Sequence, residues 1–163
     1  MTALRSSCPR VRPLHIRRVI IDLEAAIPVE VEKECGGVKK SLDALLIQKA
    51  LDELRIKVVA VKNRKLVVKL QGDFGLGRGE AEAIVLALAE KADVLGIDDK
   101  NGINACKLLG IAFTTAMGIL VRSCQKGLLT GSDALAKLAT LAKDGRYKES
   151  ILEDARRKLE TRP

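Results

Sequence analysis

The sequence has few aromatic residues, and this scarcity limits both its core and its ligands. Tryptophan is absent, and aromatic residues make up only 2% of the chain. The core must therefore be built from Leu, Ile, Val and Ala, and a hydrophobic content of 47% is sufficient for one. Folds that bind RNA by stacking its bases on aromatic side chains are disfavoured for the same reason.

Metal-binding and catalytic patterns based on cysteine or histidine are also missing. The four cysteines are widely spaced and form no CxxC pair, so we expect reduced thiols rather than a zinc knuckle or a disulfide framework. His15 is the only histidine and lies in an arginine-rich stretch, which favours a solvated or phosphate-facing side chain over a catalyst. GLGRG (75–79) lacks the Lys-Ser/Thr of a phosphate loop and predicts a turn.

Long apolar segments are absent as well. The apolar run LGIAFTTAMGILV (109–121) has 13 residues, whereas a membrane-spanning helix needs about 20. The arginine-rich first residues are not followed by the apolar segment of a signal peptide. We therefore predict a cytoplasmic protein without a membrane segment.

Positive charge is in excess and is unevenly distributed. The net charge is +8, from 29 basic and 21 acidic residues. Residues 1–18 contain five arginines and residues 55–72 contain six Lys or Arg, and neither stretch contains an acid. This pattern favours a polyanionic partner such as RNA, although solubility alone is an alternative explanation.

Helical and strand patterns alternate in the middle of the chain. Apolar spacing predicts a helix over 80–91, and the short run VLGI (94–97) predicts a buried strand. A second helix follows and stops at Gly110, and IAFTT (111–115) predicts the next strand. Such alternation indicates βαβ units with a parallel sheet. We predict a single domain over 1–163, with core motifs at about 25–130 and C-terminal helices over 132–160.

Two adjacent aspartates follow the predicted strand at 94–97. Asp98 and Asp99 would lie at the edge where parallel strands end, which is where ligands of such sheets bind. Two explanations are open. Asp99 could cap the next helix while Glu80 favours the dipole of its own helix. Alternatively, the carboxylates could hold a divalent cation, because Mg²⁺ prefers oxygen ligands.

Several motifs in this region resemble those of PIN-domain proteins. LGRGEAEAI (76–84) is followed by an apolar strand ending in DD, then by G-I-L (118–120), and ACKLLGI (105–111) is one residue longer than the A-x-x-x-G-I of the family pattern. IPVEVEKE (27–34) is similar to a P-x-x-V-x-x-E motif. The resemblance spans about 25–130 and is to the prokaryotic subgroup of predicted PIN-domain nucleic-acid-binding proteins. It implies an α/β fold, namely a PIN-like three-layer α/β/α sandwich with a central parallel sheet.

The resemblance also implies an activity and a set of site residues. Many PIN domains are Mg²⁺- or Mn²⁺-dependent endoribonucleases, including toxins of type II toxin–antitoxin pairs, so RNA, an antitoxin protein and a second copy of the chain are the implied partners. The matching candidate metal ligands are Glu34, Glu80, Asp98 and Asp99. Thr115 matches a frequent hydroxyl position, and Arg78 is a candidate phosphate contact. Glu82 is expected to be a solvated surface residue.

One departure from the family pattern concerns its first aspartate. PIN domains begin with an apolar strand that ends in D-[ST]-S, whereas this chain reads MTALRSS, with Arg5 in the place of the aspartate. Asp22 is an alternative, but too few residues separate it from Pro28 for the intervening helix. An arginine there would disfavour a metal and indicate a PIN-fold protein that binds nucleic acid or protein without cutting. A third hypothesis is an assembly subunit that dimerises through its C-terminal helices.

Overall fold

The computed structural model describes residues 2–6, 23–36, 42–144 and 147–160. The predictions for His15 and Asp22 lie outside these ranges. The described strands are β1 (Thr2–Ser6), β2 (Leu23–Pro28), β3 (Ile56–Val59), β4 (Val94–Gly96) and β5 (Phe113–Thr114). The described helices are α1 (Val29–Gly36), α2 (Leu42–Asp52), α3 (Arg64–Phe74), α4 (Arg78–Ala89), α5 (Lys100–Leu109), α6 (Ala116–Gln125), α7 (Gly131–Asp144) and α8 (Glu149–Glu160).

The chain divides into two compact units, Met1–Thr114 and Thr115–Pro163. The first contains the sheet and helices α1–α5, and the second contains helices α6–α8. Each unit has its own cluster of buried apolar side chains. That the two units act as a single domain stays a prediction.

The sheet of the first unit has the order β3-β2-β1-β4-β5. β2 and β3 are parallel, β4 and β5 are parallel, and β1 is antiparallel to both β2 and β4. Strands β2, β3, β4 and β5 therefore all run in one direction, and only the central strand opposes them. We call the edge of the sheet at which these four strands end the carboxyl edge.

The predicted α/β class is confirmed, with short parallel pairs flanked by helices. The sheet is mixed rather than wholly parallel, and this changes the interpretation of Arg5. Arg5 pairs with Glu24, near the start of β2, whereas Thr2 pairs with Gly96 at the end of β4. Arg5 therefore lies towards the edge opposite the carboxyl edge. The register does not support Arg5 as a cation beside Asp98.

Helix α4 is the centre of the first unit. Its buried residues run almost continuously from Gly79 to Ala87, as expected for a helix that is covered on most sides. It packs against α1, α3 and α5 and against strands β1, β2 and β4. Because α4 leads directly into β4, its N-terminus lies at the carboxyl edge, where β4 ends.

Helix α3 contains RKLVVKL (64–70), a segment whose residues alone are compatible with either a strand or a helix. The Asn63 side chain accepts a hydrogen bond from the Leu66 N–H at 3.1 Å and so caps the first turn. The helix ends at Gly75, whose φ of 63° is the left-handed conformation that glycine adopts without strain. Val67 and Leu70 bury one face. This segment is therefore a helix that packs its apolar face on the core, and not a strand of the sheet.

The three cysteines that the structure describes are free thiols, as the spacing in the sequence predicted. Cys106 is buried in α5, and this burial raises the pKa of its thiol, while Cys35 and Cys124 are half-buried and free. The apolar core of the second unit receives buried side chains from all three of its helices, for example Leu120 of α6, Leu138 of α7 and Leu159 of α8. Among the residues that the structure describes, no helix combines the length and hydropathy needed to cross a membrane.

Candidate functional site

The carboxyl edge brings together residues that are far apart in the sequence. α1 follows the end of β2, four residues separate the end of β3 from the start of α3, and Asp98 and Asp99 follow β4. The side chain of Asn101, at the start of α5, donates to the Gly75 carbonyl at 3.3 Å, so α5 also begins beside the turn that precedes α4. The N-termini of α3, α4 and α5 therefore share one region of the first unit.

The carboxylates of Glu34, on α1, and Glu80, on α4, both lie beside the first turn of α4. A Cβ built at Gly79 would be 2.7 Å from Glu34 Oε1, so only glycine lets that carboxylate come so close to the helix. Glu80 is half-buried, and its Oε2 accepts from the Gly77 N–H at 2.8 Å, which forms the reciprocal half of a capping box. Glu80 Oε2 therefore helps to cap the N-terminus of α4.

Glu82 is buried rather than solvated, so the expectation for this residue was wrong. Its side chain is 1% exposed, and its Oε1 accepts from Arg64 Nη1 and from Arg78 Nε, the latter at 3.3 Å. Arg78 also lies 3.6 Å from Glu30 Oε2 on α1. Helical spacing places Glu82 on a different side of α4 from Glu80, and that side was expected to face solvent. Helix α3 covers it instead, and Arg64 of α3 pairs with Glu82.

Asp98 and Asp99 differ in their surroundings. Asp99 is half-buried and caps α5, because its Oδ2 accepts from the Gly102 N–H at 2.8 Å. Asp98 is exposed. The capping explanation that the sequence left open therefore applies to one oxygen of Asp99.

The remaining two candidates have partners of their own. Arg78, a candidate phosphate contact, is bound through Nε to Glu82 and lies close to Glu30, but its side chain is still 54% exposed. Thr115 belongs to the second unit, where its hydroxyl accepts from the Gly118 N–H at 3.0 Å and caps α6. The role of the Thr115 hydroxyl in this structure is therefore to cap α6.

Three residues of this region were missed by sequence reasoning: Glu30, Arg64 and Asn101. Glu30 lies within the motif P-x-x-V-x-x-E at one of its variable positions, and Arg64 lies in a basic stretch without further signature. The Glu30–Arg78 and Arg64–Glu82 contacts depend on how α1 and α3 pack on α4. The Asn101 contact depends on how α5 lies beside the turn at Gly75. No spacing along the chain would have revealed them.

The carboxylates do not fit a divalent metal in this arrangement. Among the described residues, no three His, Cys, Asp or Glu side chains are close enough together to hold a metal ion. The donor chemistry is suitable for Mg²⁺ or Mn²⁺, but Glu80 and Asp99 each use an oxygen in a cap, and Glu82 is neutralised by arginines. No reaction step through a metal follows from this geometry.

The fold and this edge define an α/β domain with a polar site where its strands end. A family model described as DUF3368: PIN domain matches residues 13–161. The chain therefore belongs to the PIN-domain family, and its fold is of a nuclease type. No curated protein and no solved structure gives a significant match.

Proposed function

We propose that this PIN-domain protein binds RNA at the carboxyl edge of its sheet. The observation that carries the proposal is the convergence there of the N-termini of α3, α4 and α5. The positive end of a helix dipole favours a phosphate, and ligands of α/β sheets bind at this edge. Exposed lysines accompany these helix starts: Lys62 and Lys65 beside the start of α3, and Lys100 at the start of α5.

A second function, metal-dependent hydrolysis of the bound RNA, is the finer proposal. It is supported by family membership and by the exposure of Asp98 and Glu34 near the start of α4 and the end of β4. In this proposal Glu34, Glu80, Asp98 and Asp99 are the candidate metal ligands, and Mg²⁺ or Mn²⁺ is the ion. Because these side chains are not grouped closely enough to coordinate one ion among the described residues, hydrolysis would require them to move closer together.

One experiment separates the two functions. A fluorescent oligouridylate is mixed with the wild type in EDTA and in Mn²⁺, and both its anisotropy and its integrity on a gel are followed, while calorimetry measures Mn²⁺ binding. RNA binding in EDTA without cleavage in Mn²⁺ supports the binding function alone. Cleavage in Mn²⁺ that is lost in Asp98→Asn, together with lost Mn²⁺ binding, supports hydrolysis. A folded protein that does not bind RNA in either condition rules out both.

The partners implied by the family belong to the same proposal. An antitoxin-type protein, a homodimer and a cytoplasmic location stay predictions. Sedimentation over a range of protein concentrations tests the dimer, and it also tests the hypothesis of an assembly subunit. A mass that stays that of one 17.6 kDa chain at all concentrations would contradict both.

A further inference from the structure

Two arginines share one oxygen of a buried carboxylate at the carboxyl edge. Arg64 Nη1 and Arg78 Nε both donate to Oε1 of Glu82, whose side chain is 1% exposed. A carboxylate this buried is costly unless it is paired and hydrogen-bonded. Glu82 therefore brings two guanidinium groups from different helices to a single point.

Most donors of the two arginines remain available. A guanidinium carries five N–H groups in a planar fork. Within the described part of the chain, Arg64 donates a hydrogen bond only through Nη1 and Arg78 only through Nε. Their side chains are 55% and 54% exposed. The outer donors of both groups can therefore reach a ligand in solvent.

The exposed charges on the Arg64 side of this group favour an anion. Arg78 Nε lies 3.3 Å from Glu82 Oε1 and 3.6 Å from Glu30 Oε2, so two carboxylates already balance the charges of the two arginines. Arg64 has no second carboxylate within 4.0 Å among the described side chains. Lys62 and Lys65, next to it in the sequence, are exposed. An oxyanion placed between the arginines would reduce their mutual repulsion and accept bidentate hydrogen bonds.

We propose that Arg64 and Arg78 together bind a phosphate of the RNA backbone, held in position by Glu82. The inference rests on the proposed RNA binding and specifies the residues that carry it. The contact is made by guanidinium N–H groups, so it needs no divalent ion. It gives the edge a phosphate site that differs from the candidate metal ligands.

Alanine variants test the pair against a matched control. Arg55 is the control because its side chain is 63% exposed, pairs with Glu53 at 2.7 Å, and directly precedes β3, at the opposite edge of the sheet. Affinity for a fluorescent oligouridylate is measured in EDTA at several salt concentrations. We expect Arg64→Ala and Arg78→Ala each to weaken binding about tenfold, as for one charged hydrogen-bonded contact. The slope of log affinity against log salt should fall by about 0.7 for each contact.

The outcomes separate this inference from the proposed function. Wild-type affinity in both variants, with the wild type and Arg55→Ala binding RNA equally, would overturn the phosphate pair and leave RNA binding intact. No RNA binding by the folded wild type would remove the proposed function and the pair with it. If the alanine variants do not fold, Arg64→Lys and Arg78→Lys retain the charge but lose the planar fork. Weaker binding by both supports the pair, and unchanged binding overturns it.

Discussion

Two glycines, Gly79 and Gly102, lie in the first turns of neighbouring helices and face very different side chains. A Cβ at Gly102 would be 2.9 Å from Cγ1 of Ile97, which is 2% exposed and packed in the core. We predict that Gly102→Ala lowers the free energy of unfolding by about 1–3 kcal/mol, because overpacking outweighs the gain in helix propensity. Urea unfolding measures this.

Gly79→Ala is the matched comparison. Its Cβ would meet the end of the exposed Glu34 side chain, which can turn into solvent. We predict an unfolding free energy that is unchanged or up to about 1 kcal/mol higher, from the helix propensity of alanine. A loss as large as that of Gly102→Ala would show that Glu34 is fixed against α4.

Removing both arginines from Glu82 tests the buried carboxylate directly. We predict that the double variant Arg64→Ala/Arg78→Ala loses about 3–5 kcal/mol of unfolding free energy, because an unpaired charge remains buried. Each single variant should lose clearly less than half of that, since one arginine stays with Glu82. Calorimetric or urea unfolding of the three proteins checks it. Simple addition of two small losses would contradict the shared role of Glu82.

For individual residues, the sequence predicts helix caps better than it predicts ion pairs between helices. Asp99 precedes a helical pattern, so its cap could be foreseen from neighbouring residues alone. The partner Arg64 is 18 residues from Glu82, and their contact exists only because α3 packs on α4. Burial of a charged side chain by another helix leaves no local signal in the sequence.

The start of α5 depends on Asp99, and the same residue is a candidate metal ligand. Asp99→Ala should lower the free energy of unfolding by about 1 kcal/mol through loss of the cap, whereas Asp99→Asn should be nearly neutral because asparagine caps equally well. Thermal unfolding compares the two. If Asp99→Asn also keeps any Mn²⁺ binding that the wild type has, Asp99 acts as a cap and not as a ligand.

The order of elements was more predictable than their directions. The helix at 80–91 and the strand at 94–97 correspond to α4 and β4, because apolar periodicity and turn residues mark both. Helix α6 was not predicted, although its buried residues Met117, Leu120 and Val121 have helical spacing, because it begins within a continuous uncharged run shared with β5. The antiparallel direction of β1 could not be predicted either, because it depends on pairing with two strands distant in sequence.

The residues that the structure describes form two apolar cores, and the second is built from helices α6, α7 and α8. Leu138 of α7 is 3% exposed within it. We predict that Leu138→Ala costs about 2–5 kcal/mol and reduces the hydrogen-exchange protection of α6, α7 and α8. Lys137→Ala, at the exposed neighbouring position, should change stability by less than about 0.5 kcal/mol. Unchanged protection in those helices would contradict a cooperative core there.

The position of β1 also affects the order in which the sheet can form during synthesis. Thr2 pairs with Gly96, so one side of the central strand waits until about ninety more residues have left the ribosome. Until then the nascent chain can form only the β1–β2 and β2–β3 ladders, which leave the other edge of β1 open to pairing with a foreign strand. High contact order of this kind slows folding. The pairing of β4 with β1 is therefore the step that covers the open edge of the central strand, and β5 is added after it.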